Sequence, residues 1–256
     1  MLVDAHVHLN RFLPAEGAAA AADRAGVMCL AMTESPSDYE AWAPVLSGRR
    51  RVRVAVGLHP LRAAQLDDDE LQRFAELARE ASYLGEVGLD GSREGLSTLA
   101  AQRRAFAHVV EAASDRHALM SVHSRGAEAE VTETLAAAGV RAVLHWYSGA
   151  LRYVDAALDA GLYFSINASM LATQRGVRLV RSLPRERVLT ESDGPFARVA
   201  RRPLAPTGIR DLVEQIARLW GCDPDEASAC IWQNMTAAAT APRLVRAPDA
   251  SGPRLD

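Results

Sequence analysis

The sequence predicts an α/β fold in the form of a (β/α)8 TIM barrel, and three observations support this prediction. Short apolar runs alternate with helical patterns along most of the chain. Such alternation favours a parallel sheet with right-handed crossovers, and eight repeats suggest that the sheet closes into a barrel. The length of 256 residues also matches the roughly 250 residues that such barrels typically need.

The eight predicted strands are apolar runs bounded by turn residues. They cover residues 2–7, 27–32, 51–57, 82–87, 118–123, 141–145, 161–166 and 187–190. Helical periodicity, with apolar residues three and four positions apart, lies between and after the later strands. It is centred near Leu71, Val109, Leu135, Val154 and Ile216.

The C-terminal part of the chain predicts a last helix followed by a tail. Asp223 is placed to cap this helix, and Pro224 occupies its first position. From about Arg243 the sequence is rich in proline and polar residues. We therefore predict one barrel domain over residues 1–242 and a flexible tail over residues 243–256.

The composition indicates a globular protein of a reducing compartment. Hydrophobic residues make up 49% of the chain and charged residues 24%, and no apolar stretch approaches the roughly 20 residues of a membrane span. The first strand follows Met1 directly, which leaves no room for a signal peptide. Cys29, Cys222 and Cys230 are odd in number and lack C-x-x-C spacing, so they are interpreted as buried thiols. We expect a cytoplasmic protein that does not bind membranes.

The charge of the chain limits how it could hold a polyanion. The formal net charge is −3, so no overall basic coat is available to bind nucleic acid by counterion release. The sequence contains no lysine, which excludes a Schiff-base mechanism and a metal site bridged by a modified lysine. A ligand that bridges two metals would have to be a carboxylate.

Histidines and acidic residues stand where the predicted strands end. The first strand closes on His6-x-His8, and alternation along a strand points both imidazoles to one face, where a single cation can bind them. Further runs end on the blocks Gly57-Leu58-His59-Pro60, Gly85-Glu86-Val87-Gly88-Leu89-Asp90, Ser121-Val122-His123, Leu144-His145 and Glu191-Ser192-Asp193-Gly194-Pro195. Ligand residues at one end of successive strands are typical of the rim of a catalytic barrel.

These six blocks, in this order, resemble the TatD family of metal-dependent deoxyribonucleases, which have amidohydrolase-like barrels of the metallo-dependent hydrolase type. The resemblance extends from about residue 1 to residue 240. The variants Phe164-Ser-Ile-Asn167 and Glu191-Ser-Asp-Gly-Pro-Phe196 look most like the TatD-like nuclease of Qat anti-phage defence systems.

The resemblance implies two divalent metal ions. The first site would consist of His6, His8, Glu86 and Asp193, and the second of Glu86, His123 and His145. Glu86 would bridge the two ions, and Asp193 would orient a water molecule and accept its proton. Imidazole and carboxylate ligands suit Zn, Mn or Ni, and Mg where oxygen ligands complete the shell. Asp90 is expected to support the site below Glu86, whereas His108 and His117 are expected not to bind metal.

Several residues are candidates for substrate binding. The resemblance places His59 near the scissile phosphate; alternatively, it closes a turn before Pro60. Arg125 could clamp a flanking phosphate or could be a solvated group at the start of a helix. Trp146 and Tyr147 could stack a base or pack under the sixth loop. Arg201 and Arg202 keep positive charge near the site.

The predicted function is metal-dependent hydrolysis of phosphodiesters in DNA. The family resemblance implies an exonuclease that acts on single-stranded ends, and the narrower resemblance implies a role in anti-phage defence. Asp193, Glu86 and His59 are the predicted catalytic residues. Two alternatives remain open. One is a metal-dependent deacylase or amidohydrolase acting on a small or tRNA-linked substrate, since a fold does not determine its substrate. The other is a defence-complex subunit that chiefly binds a partner or modified nucleic acid.

Overall fold

The computed structural model describes residues 1–116 and 118–240, and their strands form the predicted barrel. The eight barrel strands are β1 (Leu2–Val7), β2 (Val27–Met32), β3 (Val52–Ala55), β4 (Tyr83–Gly88), β5 (Leu119–His123), β6 (Ala142–His145), β7 (Tyr163–Ile166) and β8 (Val188–Thr190). Each lies within two or three residues of its predicted position, so the strand predictions are confirmed. A short hairpin follows, formed by β9 (Arg198–Val199) and β10 (Arg202–Pro203).

The barrel strands are parallel and follow one another in chain order. A bridge between Val56 and Leu84 joins the β1–β3 segment to the β4–β8 segment. The ring closes between β8 and β1, where the Thr190 hydroxyl donates to the Val3 carbonyl (2.5 Å) and the Asp193 N–H donates to the His6 carbonyl (2.9 Å). Closure brings all the strand ends to one rim, which is where side chains from different strands can meet.

Within residues 1–116 and 118–240, ten α-helices surround the strands. They are α1 (Ala15–Ala25), α2 (Pro36–Leu46), α3 (Asp68–Ala78), α4 (Leu99–Arg116), α5 (Glu128–Ala138), α6 (Val154–Asp159), α7 (Ala168–Leu171), α8 (Gln174–Ser182), α9 (Ile209–Trp220) and α10 (Pro224–Thr240). The predicted helices correspond to α3, α4, α5, α6, α9 and α10. Sequence reasoning missed the other four; α1, for example, buries only Ala15, Ala19 and Ala22, which give a weak hydrophobic signal.

The core fills the barrel and the layer between strands and helices. Every residue of β1 is buried, as are the large side chains Phe74 and Phe164. Near-continuous burial is expected of parallel strands that are covered on both faces. Among the described residues, no helix combines the length and the apolarity needed to cross a bilayer. His117 and the predicted tail, residues 243–256, lie outside the described residues, and the domain range 1–242 stays a prediction.

The last helix, α10, covers the bottom of the barrel and is tied to β8 by Asn234. As predicted, Asp223 caps this helix, because its Oδ1 accepts from the Asp225 N–H at 2.8 Å. The buried Asn234 amide donates to the carbonyls of Arg185 and Val188, both at 2.8 Å. The Arg185 carbonyl lies in the turn before β8, where it also accepts from the Val188 N–H, and the Val188 carbonyl lies at the start of β8.

We expect Asn234→Ala to destabilise the fold by about 1–3 kcal/mol, because it removes the two hydrogen bonds that tie α10 to the turn before β8 and to the start of β8. Urea unfolding followed by circular dichroism measures this change. Thr236→Ala is the matched control on the same helix: its exposed hydroxyl only donates to the Trp232 carbonyl within α10, and we expect a change of less than about 0.5 kcal/mol. Equal losses would show that Asn234 does not anchor the helix.

Candidate metal centre

The predicted ligands come together at the carboxyl ends of the barrel strands, around a cavity of about 780 Å³. His6 lies beneath the cavity and is fully buried. Five further histidine and acidic side chains from the predicted set line the cavity: His8, Glu86, His123, His145 and Asp193. The residues in this cluster span nearly 190 positions of the sequence, and closure of the barrel is what brings them together.

Glu86 lies at the centre of the cluster. Its Oε2 is 3.3 Å from His8 Nε2 and 3.7 Å from His6 Nε2. Its Oε1 is 2.8 Å from His123 Nδ1 and 3.0 Å from His145 Nε2. His59 Nε2 also lies 3.4 Å from Oε2. The two carboxylate oxygens therefore face different sets of imidazoles, which is the arrangement expected of a bridging ligand.

His6, His8 and Asp193 form one group of donor atoms that lie within 4.8 Å of one another. The two Nε2 atoms are 3.2 Å apart, and Asp193 Oδ1 is 3.6 Å from that of His6 and 3.7 Å from that of His8. His6 Nδ1 contacts the Ser121 hydroxyl at 2.7 Å, which orients the ring. Burial and the nearby His145 hold the pKa of His6 well below its ordinary value, so its imidazole is neutral, as a metal ligand must be.

The two acidic groups at the centre have opposite pKa shifts. Burial of Glu86 opposes its ionisation, but His59 and His145 outweigh that effect and hold its pKa well below the ordinary value. Burial raises the pKa of Asp193 to about 8, against the opposing effect of His145 and with a contribution from the charge of Glu191. The site therefore combines a charged carboxylate with one that requires added positive charge to ionise at neutral pH.

His123 is held between two carboxylates. Its Nδ1 faces Glu86, and its Nε2 is 2.9 Å from Asp90 Oδ2. Burial of Asp90 opposes ionisation, but the hydrogen bonds with His123 and Ser92 lower its pKa to about 2. Asp90 was expected below Glu86; the structure shows instead that it contacts His123, because the loop after β4 folds toward the end of β5.

Sequence reasoning missed the role of Glu191, which is fully buried beside His145. Its Oε2 is 3.7 Å from His145 Nδ1 and accepts a hydrogen bond from the Ser165 hydroxyl. Its Oε1 accepts from the Asn167 amide at 2.9 Å and from the Trp146 N–H at 3.1 Å. The position of Glu191, directly after β8 and two residues before Asp193, was the sequence signal that could have indicated this role.

The backbone of Glu86 is positioned by the neighbouring strands. Its N–H donates to the Thr33 carbonyl at 2.9 Å, and its carbonyl accepts from the Leu58 N–H at 3.0 Å. The Thr33 hydroxyl donates to the Ala55 carbonyl and accepts from the Gly57 N–H. A Cβ at Gly57 would lie 1.7 Å from the Thr33 carbonyl oxygen, so only glycine allows this close approach.

Asp193 occupies a turn that is tied to β1. Its backbone has a φ of +44°, a conformation that is uncommon for a residue other than glycine. The buried Asp4 holds the preceding residue, because its carboxylate accepts from the Ser192 N–H at 2.8 Å and from the Ser192 hydroxyl at 2.6 Å. Burial raises the pKa of Asp4 to about 7. Asp4 was visible in the first strand, but its partner in the turn after β8 was not.

His59 and Arg125 both line the cavity. The Leu61 N–H donates to His59 Nδ1 at 3.2 Å, while His59 Nε2 lies 3.4 Å from Glu86 Oε2. His59 thus closes the turn before Pro60 and also faces the cluster, so its two predicted roles are compatible. Arg125 is exposed at the cavity rim.

Trp146 and Tyr147 take different positions. Trp146 lines the cavity, with 36% of its surface exposed. Tyr147 is buried: its ring packs edge-on against Phe164 at 5.4 Å, and its hydroxyl donates to the Ala150 carbonyl. Tyr147 therefore has the structural role of packing under the sixth loop. Trp146 lies at the cavity, where it could stack a base.

The predicted arginines downstream of Asp193 do not line the cavity. Arg201 and Arg202 are exposed in the hairpin of β9 and β10 and are not among the residues that line the cavity. The residues that do line it include Arg62 and Phe196, which were not predicted as site residues. Arg62 lies 3.5 Å from Glu34 and 3.3 Å from Asp38. Its position two residues after Pro60 was a usable signal, as was that of Phe196 after Asp193-Gly-Pro.

Comparison with known proteins identifies close parallels over most of the chain. The family model described as "TatD related DNase" matches residues 3–239. The "uncharacterized metal-dependent hydrolase TatD" of Mycobacterium tuberculosis is 30% identical, over 85% of this chain and 91% of that protein. The "3'-5' ssDNA/RNA exonuclease TatD" of Dickeya dadantii is also 30% identical, over 82% and 86% of the two chains.

Solved structures share the fold. The crystal structure of the TatD homolog YJJV from Escherichia coli K12 has a TM-score of 0.83 and 19% identity, over 93% of this chain and 97% of that one. A TatD family hydrolase from Entamoeba histolytica has a TM-score of 0.81 and 15% identity, over 93% and 97% of the two chains. These similarities establish the barrel architecture.

We expect Gly57→Ala to destabilise the protein by about 3 kcal/mol or more, because the new methyl group overlaps the carbonyl of Thr33 and displaces it from Glu86. The measurement is the urea-unfolding midpoint. Gly48→Ala is the matched control, since a Cβ there meets no atom within 4 Å. An unfolding midpoint for Gly57→Ala equal to that of Gly48→Ala would contradict the close approach described above.

Proposed function

The chain belongs to the TatD family of related DNases and is a metal-dependent hydrolase, and we propose that it hydrolyses phosphodiester bonds at the ends of single-stranded DNA. The observation that carries this proposal is the buried cluster in which Glu86 faces four imidazoles at the carboxyl ends of the strands. The relative named as an ssDNA/RNA exonuclease supports a nucleic-acid substrate.

We propose that this cluster holds two divalent cations. His6, His8, Glu86 and Asp193 would bind one, and Glu86, His123 and His145 the other. Three groups of donor atoms converge within 4.8 Å: His6, His8 and Asp193; His6, Glu86 and His145; and His59, Glu86 and His123. The first group supports the first site; for the second site, His123 and His145 both contact Glu86 Oε1, at 2.8 and 3.0 Å. Such ligands suit Zn, Mn or Ni, and also Mg where water completes the shell.

When bound, the cations would supply Lewis-acid charge and an activated water. Asp193 would orient that water and, in its ionised form, accept its proton. His59 would donate a hydrogen bond to a phosphate oxygen. Its Nδ1 accepts from the Leu61 N–H, which places the ring proton of the neutral imidazole on Nε2, the atom that faces the cluster.

Substrate-binding roles for the rim residues follow from their positions. Arg125 lines the cavity and would bind a phosphate next to the scissile one. Arg62 also lines the cavity, and its guanidinium group would add a second positive charge from the loop after β3. Arg201 and Arg202 would contact the strand farther from its end. Trp146 would contact the terminal nucleotides within the cavity.

The cellular context is proposed from two features of the sequence. We propose a role in anti-phage defence, with protein partners of a Qat system, on the basis of the sequence blocks at residues 164–167 and 191–196. We propose a cytoplasmic location on the basis of the three free cysteines. DNA, and specifically single-stranded ends, is the partner that the site itself supports.

The central experiment incubates metal-loaded protein with end-labelled single-stranded and double-stranded DNA. We expect shortening of the single strand, and we expect Glu86→Ala to abolish both shortening and paired metal binding, because it removes the shared ligand. His108→Ala is the matched control: His108 is an exposed residue of α4 outside the cavity, and its loss should leave activity within a few-fold of the original.

Each alternative function gives a different result in this experiment. Intact DNA together with metal-dependent hydrolysis of a simple ester or amide would indicate a deacylase. DNA binding without any cleavage would indicate a binding subunit. Equal losses in Glu86→Ala and His108→Ala would contradict the assignment of the ligands.

We expect charge reversal at Arg125 to weaken DNA turnover mainly through KM, with a loss that depends on salt. Each phosphate contact removed from a single strand should reduce the slope of log affinity against log salt by about 0.7. Arg104→Glu, at an exposed position of α4, makes the same charge change away from the cavity and serves as control. Arg202→Glu tests in parallel whether the hairpin contacts the strand. An unchanged slope in Arg125→Glu would contradict the proposed contact.

A further inference from the structure

Two large aromatic rings are exposed at the mouth of the cavity. Phe196 is 51% exposed and Trp146 is 36% exposed, and both line the cavity that contains the Glu86 cluster. Phe196 follows β8 and Trp146 follows β6, so they lie on the same side of the barrel rim. Exposed apolar surface beside polar groups in a cavity is typical of a binding site.

The position of Trp146 is imposed by its surroundings. Its φ of +39° is unfavourable for a bulky residue, and such strain persists only where the neighbouring structure holds it. Here the Trp146 N–H donates to the fully buried Glu191, and the next residue, Tyr147, is buried with its hydroxyl on the Ala150 carbonyl. These contacts hold the Trp146 side chain at the cavity, although much of its surface is exposed and gains no burial there.

Phe196 is also held in place. Its N–H and that of the buried Ala197 donate to the Asp193 carbonyl, at 2.9 and 3.0 Å. The Leu204 N–H closes the turn by donating to the Ala197 carbonyl at 2.8 Å. The Phe196 ring packs edge-on against His8, with ring centroids 4.9 Å apart. The Phe196 ring is therefore held next to His8, a proposed metal ligand.

We propose that Phe196 and Trp146 form a platform on which unpaired bases at the end of the strand stack while the scissile phosphate lies at the Glu86 cluster. Stacking on aromatic rings is sequence-tolerant, because every base has a π face. Bases of a duplex are already paired and stacked, so they are not free to use these rings. The platform therefore selects single strands by their unpaired bases, and this inference rests on the proposed function.

The test compares two single-stranded oligonucleotides, one natural and one whose terminal nucleotides lack bases. For the wild-type protein we expect a KM about tenfold higher for the abasic strand, with a smaller change in kcat, which is within the range of affinity expected for base stacking. Phe196→Ala and Trp146→Ala should each reduce this discrimination, and the double variant should abolish it. Equal KM values for the two strands in the wild type would overturn the proposal.

Matched variants separate stacking from a general loss of structure. Phe196→Tyr and Trp146→Phe retain a ring and should retain discrimination. Leu13→Ala removes an apolar side chain that is 98% exposed outside the cavity, and it should behave as wild type. Discrimination that survives in the double alanine variant, or that is lost in Leu13→Ala, would contradict the platform.

A binding measurement gives an answer even if no DNA is cleaved. An oligonucleotide with 2-aminopurine at its terminus and phosphorothioate linkages that resist hydrolysis is titrated with metal-loaded protein, and we expect fluorescence quenching that both alanine variants reduce. Absence of quenching, or equal quenching in the variants, would overturn the platform. Quenching without metal-dependent cleavage by wild type would support the platform and reject the proposed phosphodiesterase, so the two failures are distinguishable.

Discussion

The buried carboxylate of Glu86 is the group on which the rest of the site depends. Transfer of an isolated carboxylate from water into a protein interior is strongly unfavourable, so it persists only with compensating partners. Glu86 is 4% exposed, and its compensation comes from imidazoles contributed by the ends of β1, β5 and β6. These imidazoles come from three different strands, so the charge of Glu86 is tolerated only when the barrel is closed.

Acidic residues outnumber basic ones in the interior of this end of the barrel. Five buried carboxyl groups stand there: Asp4, Glu86, Asp90, Glu191 and Asp193. Asp90 contacts the ring nitrogen of His123 that faces away from Glu86, and Glu191 does the same for His145. Asp4 binds Ser192 and so holds the turn that contains Asp193. These outer contacts orient the rings, as carboxylates behind metal-binding histidines commonly do. The excess of buried negative charge favours divalent cations, and bound cations would in turn attract phosphate to a chain whose own net charge is −3.

The rim is organised differently from the centre. The cluster is rigid and lies on strand ends, whereas the residues that would distinguish one substrate from another lie on the loops that follow the strands: Arg62, Arg125, Trp146 and Phe196. In this fold, catalytic residues usually lie at the strand ends, and the loops that follow the strands vary with the substrate. The link between the two levels is Glu191, which contacts His145 and also holds the backbone of Trp146.

The sequence by itself determined the strands, most of the larger helices and the residues of the central cluster. Strand periodicity is local, and histidines and acids at strand ends converge in any parallel barrel, so His6, Glu86 and Asp193 could be predicted to meet. Only the tertiary structure decided that Asp90 contacts His123, that Glu191 supports Trp146, and that Arg62 rather than Arg202 reaches the cavity. Those outcomes depend on how loops distant in sequence pack against each other, and no local pattern encodes that. Helix α1 was missed for a related reason: its buried face consists of alanines, whose burial is decided by the close approach of the barrel rather than by their own hydrophobicity.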